Sequence, residues 1–179
     1  MRCAFLTALC GLALSAGVSR YVQAQGSPSE YEVKAAFLYN FAAFVEWPDE
    51  ATSQPFRIGI MSVDPPPEIT AVLRGRTVVG RAIELRIFRR VEDVTSVDVL
   101  FITADAAVRL NAALQRLDGG AVLVVGESEG FARHGGMINF YLENDRVRFE
   151  INRGAAEAAG LRLSSQLLRI ARLVAGGEE

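Results

Sequence analysis

Two runs of residues, Met137 to Leu142 and Arg146 to Asn152, alternate in polarity and are joined by Asn144-Asp145. Asn and Asp tolerate the positive φ of a two-residue hairpin turn. That turn sets a register in which Asn139 faces Glu150, Tyr141 faces Arg148 and Met137 faces Asn152. Strand side chains alternate between faces, so Ile138, Phe140, Val147, Phe149 and Ile151 form one apolar, core-facing side. Asn139, Tyr141, Arg148, Glu150 and Asn152 form the other. Arg148 and Glu150 are expected to point away from the core.

Upstream of the hairpin, strand and helix patterns alternate. Ser27 is expected to cap a helix with Pro28 at its first position, running to about Val45. Its apolar residues, Phe37, Leu38, Tyr39, Phe41 and Phe44 among them, point nearly all round the axis. Such a helix is buried or covered by a partner. Trp47-Pro48 ends it, because the residue before proline avoids helical angles. Strands are expected at Phe56 to Met61, Arg81 to Phe88, Val97 to Ile102 and Ala121 to Val125. Short or regular helices fall at Glu68 to Leu73, Ala104 to Leu117 and Ala155 to Ala159, with Gly160 as a C-terminal stop. A last helix is expected from Ser164, carrying Leu167, Ile170, Ala171 and Val174 on one face. Arg169 and Arg172 then complement its dipole. The fold class is α/β: a single domain with a mixed sheet, helices on both faces, and a C-terminal antiparallel hairpin followed by a helix.

The first residues read as an address rather than as structure. Arg2 is basic, Cys3 to Val18 is apolar, and Val22-Gln23-Ala24 offers small residues for cleavage. That is a secretory signal peptide over residues 1–24, removed after Ala24, with the domain at 25–179. The apolar run is short for a membrane span and is interrupted by Gly and Ser. Leu9 before Cys10 does not suit a lipoprotein signal. The expected location is the periplasm.

Cleavage takes away Arg2, Arg20, Cys3 and Cys10, leaving 17 basic against 21 acidic residues and no cysteine. No basic excess exists to neutralise phosphates, which argues against a nucleic-acid partner. No thiolate nucleophile or disulfide remains. The one histidine, His134, has no cysteine or second histidine with which to hold zinc. The G-x-S-x-G elbow of serine hydrolases is absent. Gly126-Glu127-Ser128-Glu129-Gly130 follows a strand, where ligand loops occur, but two glutamates would repel a phosphate. Asp98 opens its strand, whereas the phosphorylated carboxylate of a receiver ends one. The expectation is therefore a binding protein without catalytic residues, cofactor or metal.

Two stretches carry a resemblance. One is Tyr31-Glu32-Val33-Lys34-Ala35-Ala36-Phe37-Leu38-Tyr39-Asn40-Phe41, continuing to Phe44-Val45-Glu46-Trp47-Pro48. The other runs Gly136-Met137-Ile138-Asn139-Phe140, Leu142-Glu143-Asn144, Arg146 to Asn152, Ala159-Gly160-Leu161 and Ser164 to Leu168. Together they resemble the YfiR-like family of periplasmic proteins over nearly the whole mature chain. The resemblance implies a repressor that binds the periplasmic domain of an inner-membrane diguanylate cyclase and lowers cyclic-di-GMP output. It also implies relief by an OmpA-like outer-membrane lipoprotein, and a homodimer. The namesake's paired cysteines have no counterpart in the mature chain, so a redox-sensing version is not implied. The alternative is a small-molecule-binding protein that feeds a sensor kinase or transporter.

Two groups are candidates for partner or ligand binding. On the hairpin they are Asn139, Tyr141, Arg148, Glu150 and Asn152, for which a plain solvated surface is the competing reading. On the first helix they are Tyr39, Asn40, Glu46 and Trp47, where aromatics at helical spacing more often mark core. Asn40 would need hydrogen-bond partners if buried. Ser164 and Ser165 most simply cap the last helix.

Overall fold

The strands over Phe56–Met61, Val99–Ile102 and Leu123–Gly126 are almost wholly apolar and almost wholly buried, and they form the middle of a five-stranded parallel run. The computed structural model describes residues 27–48 and 55–177. The expected leader, its cleavage point after Ala24, and Cys3 and Cys10 lie outside the described residues.

The elements in chain order are α1 (Glu30–Phe44), β1 (Val45–Glu46), β2 (Phe56–Met61), α2 (Pro67–Leu73), β3 (Thr77–Val78), β4 (Arg81–Phe88), β5 (Val99–Ile102), α3 (Leu110–Arg116), β6 (Leu123–Gly126), β7 (Ile138–Glu143), β8 (Arg146–Asn152), α4 (Arg153–Ala158), β9 (Arg162–Leu163), α5 (Ser165–Ile170) and β10 (Arg172–Val174). Short 3-10 helices cover Val91–Asp93 and Ala104–Arg109. The main sheet runs β10-β8-β7-β6-β5-β2-β4-β3, and β1 pairs with β9 in a separate two-stranded ribbon. Strands β4, β2, β5, β6 and β7 are parallel neighbours. In chain order they read 2-1-3-4-5, a doubly wound arrangement whose order reverses between β2 and β5.

The two faces are covered by different helices. Phe37 and Phe41 of α1 meet Phe140 and Phe149 at ring separations of 5.0–6.1 Å. α2 packs beside α1. Strand alternation puts Val124 and Met137 on the opposite face, where they share a cavity wall with Leu114 of α3. The mixed sheet with helices on both faces stands as the sequence indicates.

Strand and helix ends shift by a residue or two from the sequence reading, and three departures change how the elements are held. α1 is capped by Ser29, not Ser27: the Ser29 hydroxyl accepts from Glu32 N at 3.2 Å and Glu32 reaches back to Ser29 N at 2.6 Å. Both serines have a glutamate three residues on. Glu30 pairs instead with Lys34, one turn along the helix. The expected helix from Ala104 begins as a 3-10 turn and becomes α only at Leu110. The last helix stops at Ile170, after which Arg172–Val174 lies parallel to Glu150–Asn152 as an added strand. Without it β8 would present an open row of backbone donors and acceptors. Ile170 is exposed rather than part of a buried helical stripe. The Ser164 cap is present, its hydroxyl accepting from Leu167 N.

Candidate functional site

The hairpin turns as its sequence dictates. Asn144 and Asp145 have φ of 51° and 57°, the left-handed pair that a tight primed turn requires. Asn139 faces Glu150 and Tyr141 faces Arg148. Burial nevertheless divides the polar face in two. Near the tip, Tyr141 is half-buried and Arg148 is exposed. Near the base, Asn139, Glu150 and Asn152 are buried.

The base is structural. Asn139 Nδ2 donates to Glu150 Oε1 at 3.1 Å. Asn152 caps α4 by accepting from Ala155 N at 3.0 Å, and its Nδ2 donates to Ala132 O at 2.8 Å. Glu150 is only 8 % exposed, so the expectation that it points into solvent does not hold. The cause is β10, whose Arg172 lies beside Glu150 in the ladder, together with the loop before β7 that meets Asn152.

The tip is a different surface. The Arg172 guanidinium sits 4.2 Å from the Tyr141 ring centroid. Its Nη2 donates to Glu143 at 3.4 Å, and Arg148 Nε lies 3.7 Å from the same carboxylate. Leu142, Ile170 and Leu173 are 54 %, 68 % and 56 % exposed, but Leu142 pairs with Val147 and Leu173 with Ile151, on the other face of the sheet from Tyr141, Arg148 and Arg172. The tip itself is a half-buried aromatic ring among exposed charged side chains, residue types favoured at interfaces.

The first-helix group is mostly anchored. Tyr39 OH donates to Thr77 O at 3.1 Å, with Arg76 5.1 Å from its ring. Trp47 Nε1 donates to Ala42 O at 3.2 Å, and its ring meets Phe56 edge-on. Glu46 Oε2 accepts from Arg162 Nε and Nη2 at 2.9 and 2.6 Å. Asn40 is exposed, so it needs no buried partner. Among the described residues no hydrogen bond, ion pair or ring contact joins these four to the hairpin.

The densest polar cluster lies elsewhere, over the carboxyl ends of β2, β5 and β6. Glu127, just past β6, accepts from Lys34 Nζ at 2.6 Å, Tyr31 OH at 3.0 Å and Ala104 N at 2.8 Å. Beside it Asp105 accepts from Val63 N and Asp64 N, both at 2.9 Å, and from the Ser62 and Thr103 hydroxyls. Burial, then the Glu127 charge and hydrogen bond, push the Tyr31 phenol well above its usual range. Burial alone would raise Asp105. The Thr103 hydroxyl and the Asp64 and Val63 N–H groups outweigh it and hold the carboxyl below its usual range. The sequence signal for this cluster is Lys34, the one cation on α1, followed by mainly apolar residues. In the sequence Glu127 speaks only against a phosphate ligand. The donors and acceptors satisfy each other, so the cluster ties α1 to the sheet. Among the described residues no His, Asp or Glu group is arranged to hold a metal, and no helix is long and apolar enough to cross a membrane.

A family model described as YfiR/HmsC-like matches residues 31–172. Among solved structures, a conserved domain protein from Vibrio cholerae O1 biovar El Tor is similar at 15 % identity over 81 % of this chain, with a TM-score of 0.49. The chain spans 60 % of that protein's length. No curated protein matches.

Proposed function

The chain belongs to the YfiR/HmsC-like family of periplasmic regulatory proteins, and from that premise we propose that it binds the periplasmic domain of an inner-membrane diguanylate cyclase and lowers its cyclic-di-GMP output. The observation that carries the reading is the hairpin tip. Tyr141 and Arg148, with Arg172 and Glu143 beside them, form a charged and aromatic cluster on one face of the tip. Tyr and Arg are the residues that most often dominate binding energy at an interface. Among the described residues strand β10 ends the sheet, and on this reading its outer edge takes a partner strand. A homodimer, relief by an OmpA-like outer-membrane lipoprotein, and export through the cleaved leader complete the proposal. Tyr39, Asn40, Glu46 and Trp47 form its second contact region, centred on exposed Asn40 and the exposed Phe44 ring beside it.

Pull-down from detergent-solubilised inner membrane tests the proposal. The wild-type chain should retain a cyclase, and Arg148→Glu should retain far less while keeping its circular dichroism. Placing like charges at an interface costs several kcal/mol. The surface pair that Arg148 makes with Glu143 contributes under about 1 kcal/mol to the fold. Recovery of no membrane protein by the wild type would contradict the proposal.

A further inference from the structure

Doubly wound sheets leave their ligand crevice outside the carboxyl ends of the strands, at the switch point. In this chain that place is already filled by the carboxylates of Asp105 and Glu127, which occupy the N–H groups of Val63, Asp64 and Ala104. The open concavity lies one strand over. A groove of about 410 Å³ runs between the turn leading into α3 and the β6–β7 loop. Its volume falls within the roughly 300–1,000 Å³ of small-molecule sites.

Val108, 94 % exposed, and the buried Leu110 and Phe131 supply apolar lining. Asn111, Ser128, Glu129 and His134 supply polar lining. The β6–β7 loop, which carries most of the polar residues, is held in shape by two rings. A Cβ at Gly126 or Gly136 would fall 2.3 or 2.2 Å from the Phe131 ring, and one at Gly130 would fall 2.8 Å from His134. The backbone N–H groups of Arg133 and His134 both donate to Gly130 O. The polar groups are therefore presented on fixed backbone rather than on a wandering loop.

Charge selects the occupant. Glu129 is the one carboxylate among the lining residues, which include no lysine or arginine. Arg109 and Arg133 are near in sequence but do not line the groove. A concave surface of one sign concentrates ligands of the other.

We propose that this groove binds a small organic cation, an ammonium or guanidinium on a short apolar body. The head pairs with Glu129, and Asn111, Ser128 and His134 supply hydrogen bonds. The apolar part lies against Val108, Leu110 and Phe131. The site is separate from the hairpin tip and does not depend on the cyclase reading. The test is a heteronuclear NMR titration of the mature chain with n-butylguanidinium, and with pentanol and pentanoate as neutral and anionic controls. Saturable shifts at Val108 and His134 are expected for the cation, with pentanol weaker and pentanoate without effect. Glu129 is exposed, so Glu129→Gln should keep the thermal midpoint and weaken the cation by about tenfold or more, as loss of a charged hydrogen bond does. Val108→Ser should weaken it too. The proposal is overturned by no saturable shift at millimolar cation, by equal binding of pentanoate, or by undiminished binding to folded Glu129→Gln.

Discussion

Lys34 shows how much one side chain can settle. It is buried in the first third of α1, and its ammonium reaches Glu127 across from the helix, with side-chain exposures of 6 % and 3 %. Removing one partner of such a pair strands the other charge, so Lys34→Met should cost about 3–5 kcal/mol by chemical denaturation. The same cluster makes a pH prediction. The Tyr31 phenol is raised above its usual value by burial and by Glu127, so its folded-state value exceeds the unfolded one of about 10. Its contribution to stability is full below about pH 10 and is lost as pH rises beyond that. Ultraviolet titration of the mature chain should show one phenol that ionises only with unfolding, and Tyr31→Phe should remove it. Ionisation of all phenols near pH 10 in the folded protein would contradict this. Asp105 works in the opposite direction: its carboxyl is lowered, so what it contributes is present at neutral pH and lost on acidification through its folded value. On the hairpin, Phe149→Ala should cost about 3–5 kcal/mol, the usual figure for a buried aromatic. Glu150→Lys would place an ammonium in a buried site and should also destabilise, unlike Arg148→Glu at the exposed tip. Alternation alone could not separate Arg148 from Glu150. Both lie on one face, and what buries Glu150 comes from a distant part of the chain.

At the scale of elements, local chemistry decided what was legible. The hairpin was readable because two residues able to adopt positive φ fix its register. The strand over Arg81–Phe88 was readable from its alternation. The terminal strand β10 was not, because Leu167, Ile170, Ala171 and Val174 also fit a helical stripe. What overrides that stripe is the open backbone edge of β8, a tertiary demand that no local pattern carries. Truncation after Ala171 tests it. Loss of β10 should leave far-UV circular dichroism largely intact, lower the thermal midpoint, and increase self-association through the uncovered edge of β8. A truncated chain as stable and monodisperse as the parent would mean that β10 is dispensable.

At the scale of the molecule, the sequence carried the layers but not the strand order. Crossing from β4 back over β2 to β5 is a long-range event, and so is the convergence of Tyr31, Lys34, Asp105 and Glu127 that follows from it. The candidate site fared likewise. Tyr141 and Arg148 follow from the hairpin register, whereas Arg172 fits a helix end as well as a strand and nothing local sets Glu143 apart. The result is a regulator with a closed polar tie under α1, an open groove beside it, and a charged and aromatic tip at one end of the sheet. In the proposed function this tip restrains a cyclase. The most direct measurement is cellular cyclic-di-GMP in cells carrying Arg148→Glu, with folding and periplasmic level matched to wild type. Cyclic-di-GMP should rise towards the level of cells lacking the protein. Repression by Arg148→Glu equal to wild type would contradict it.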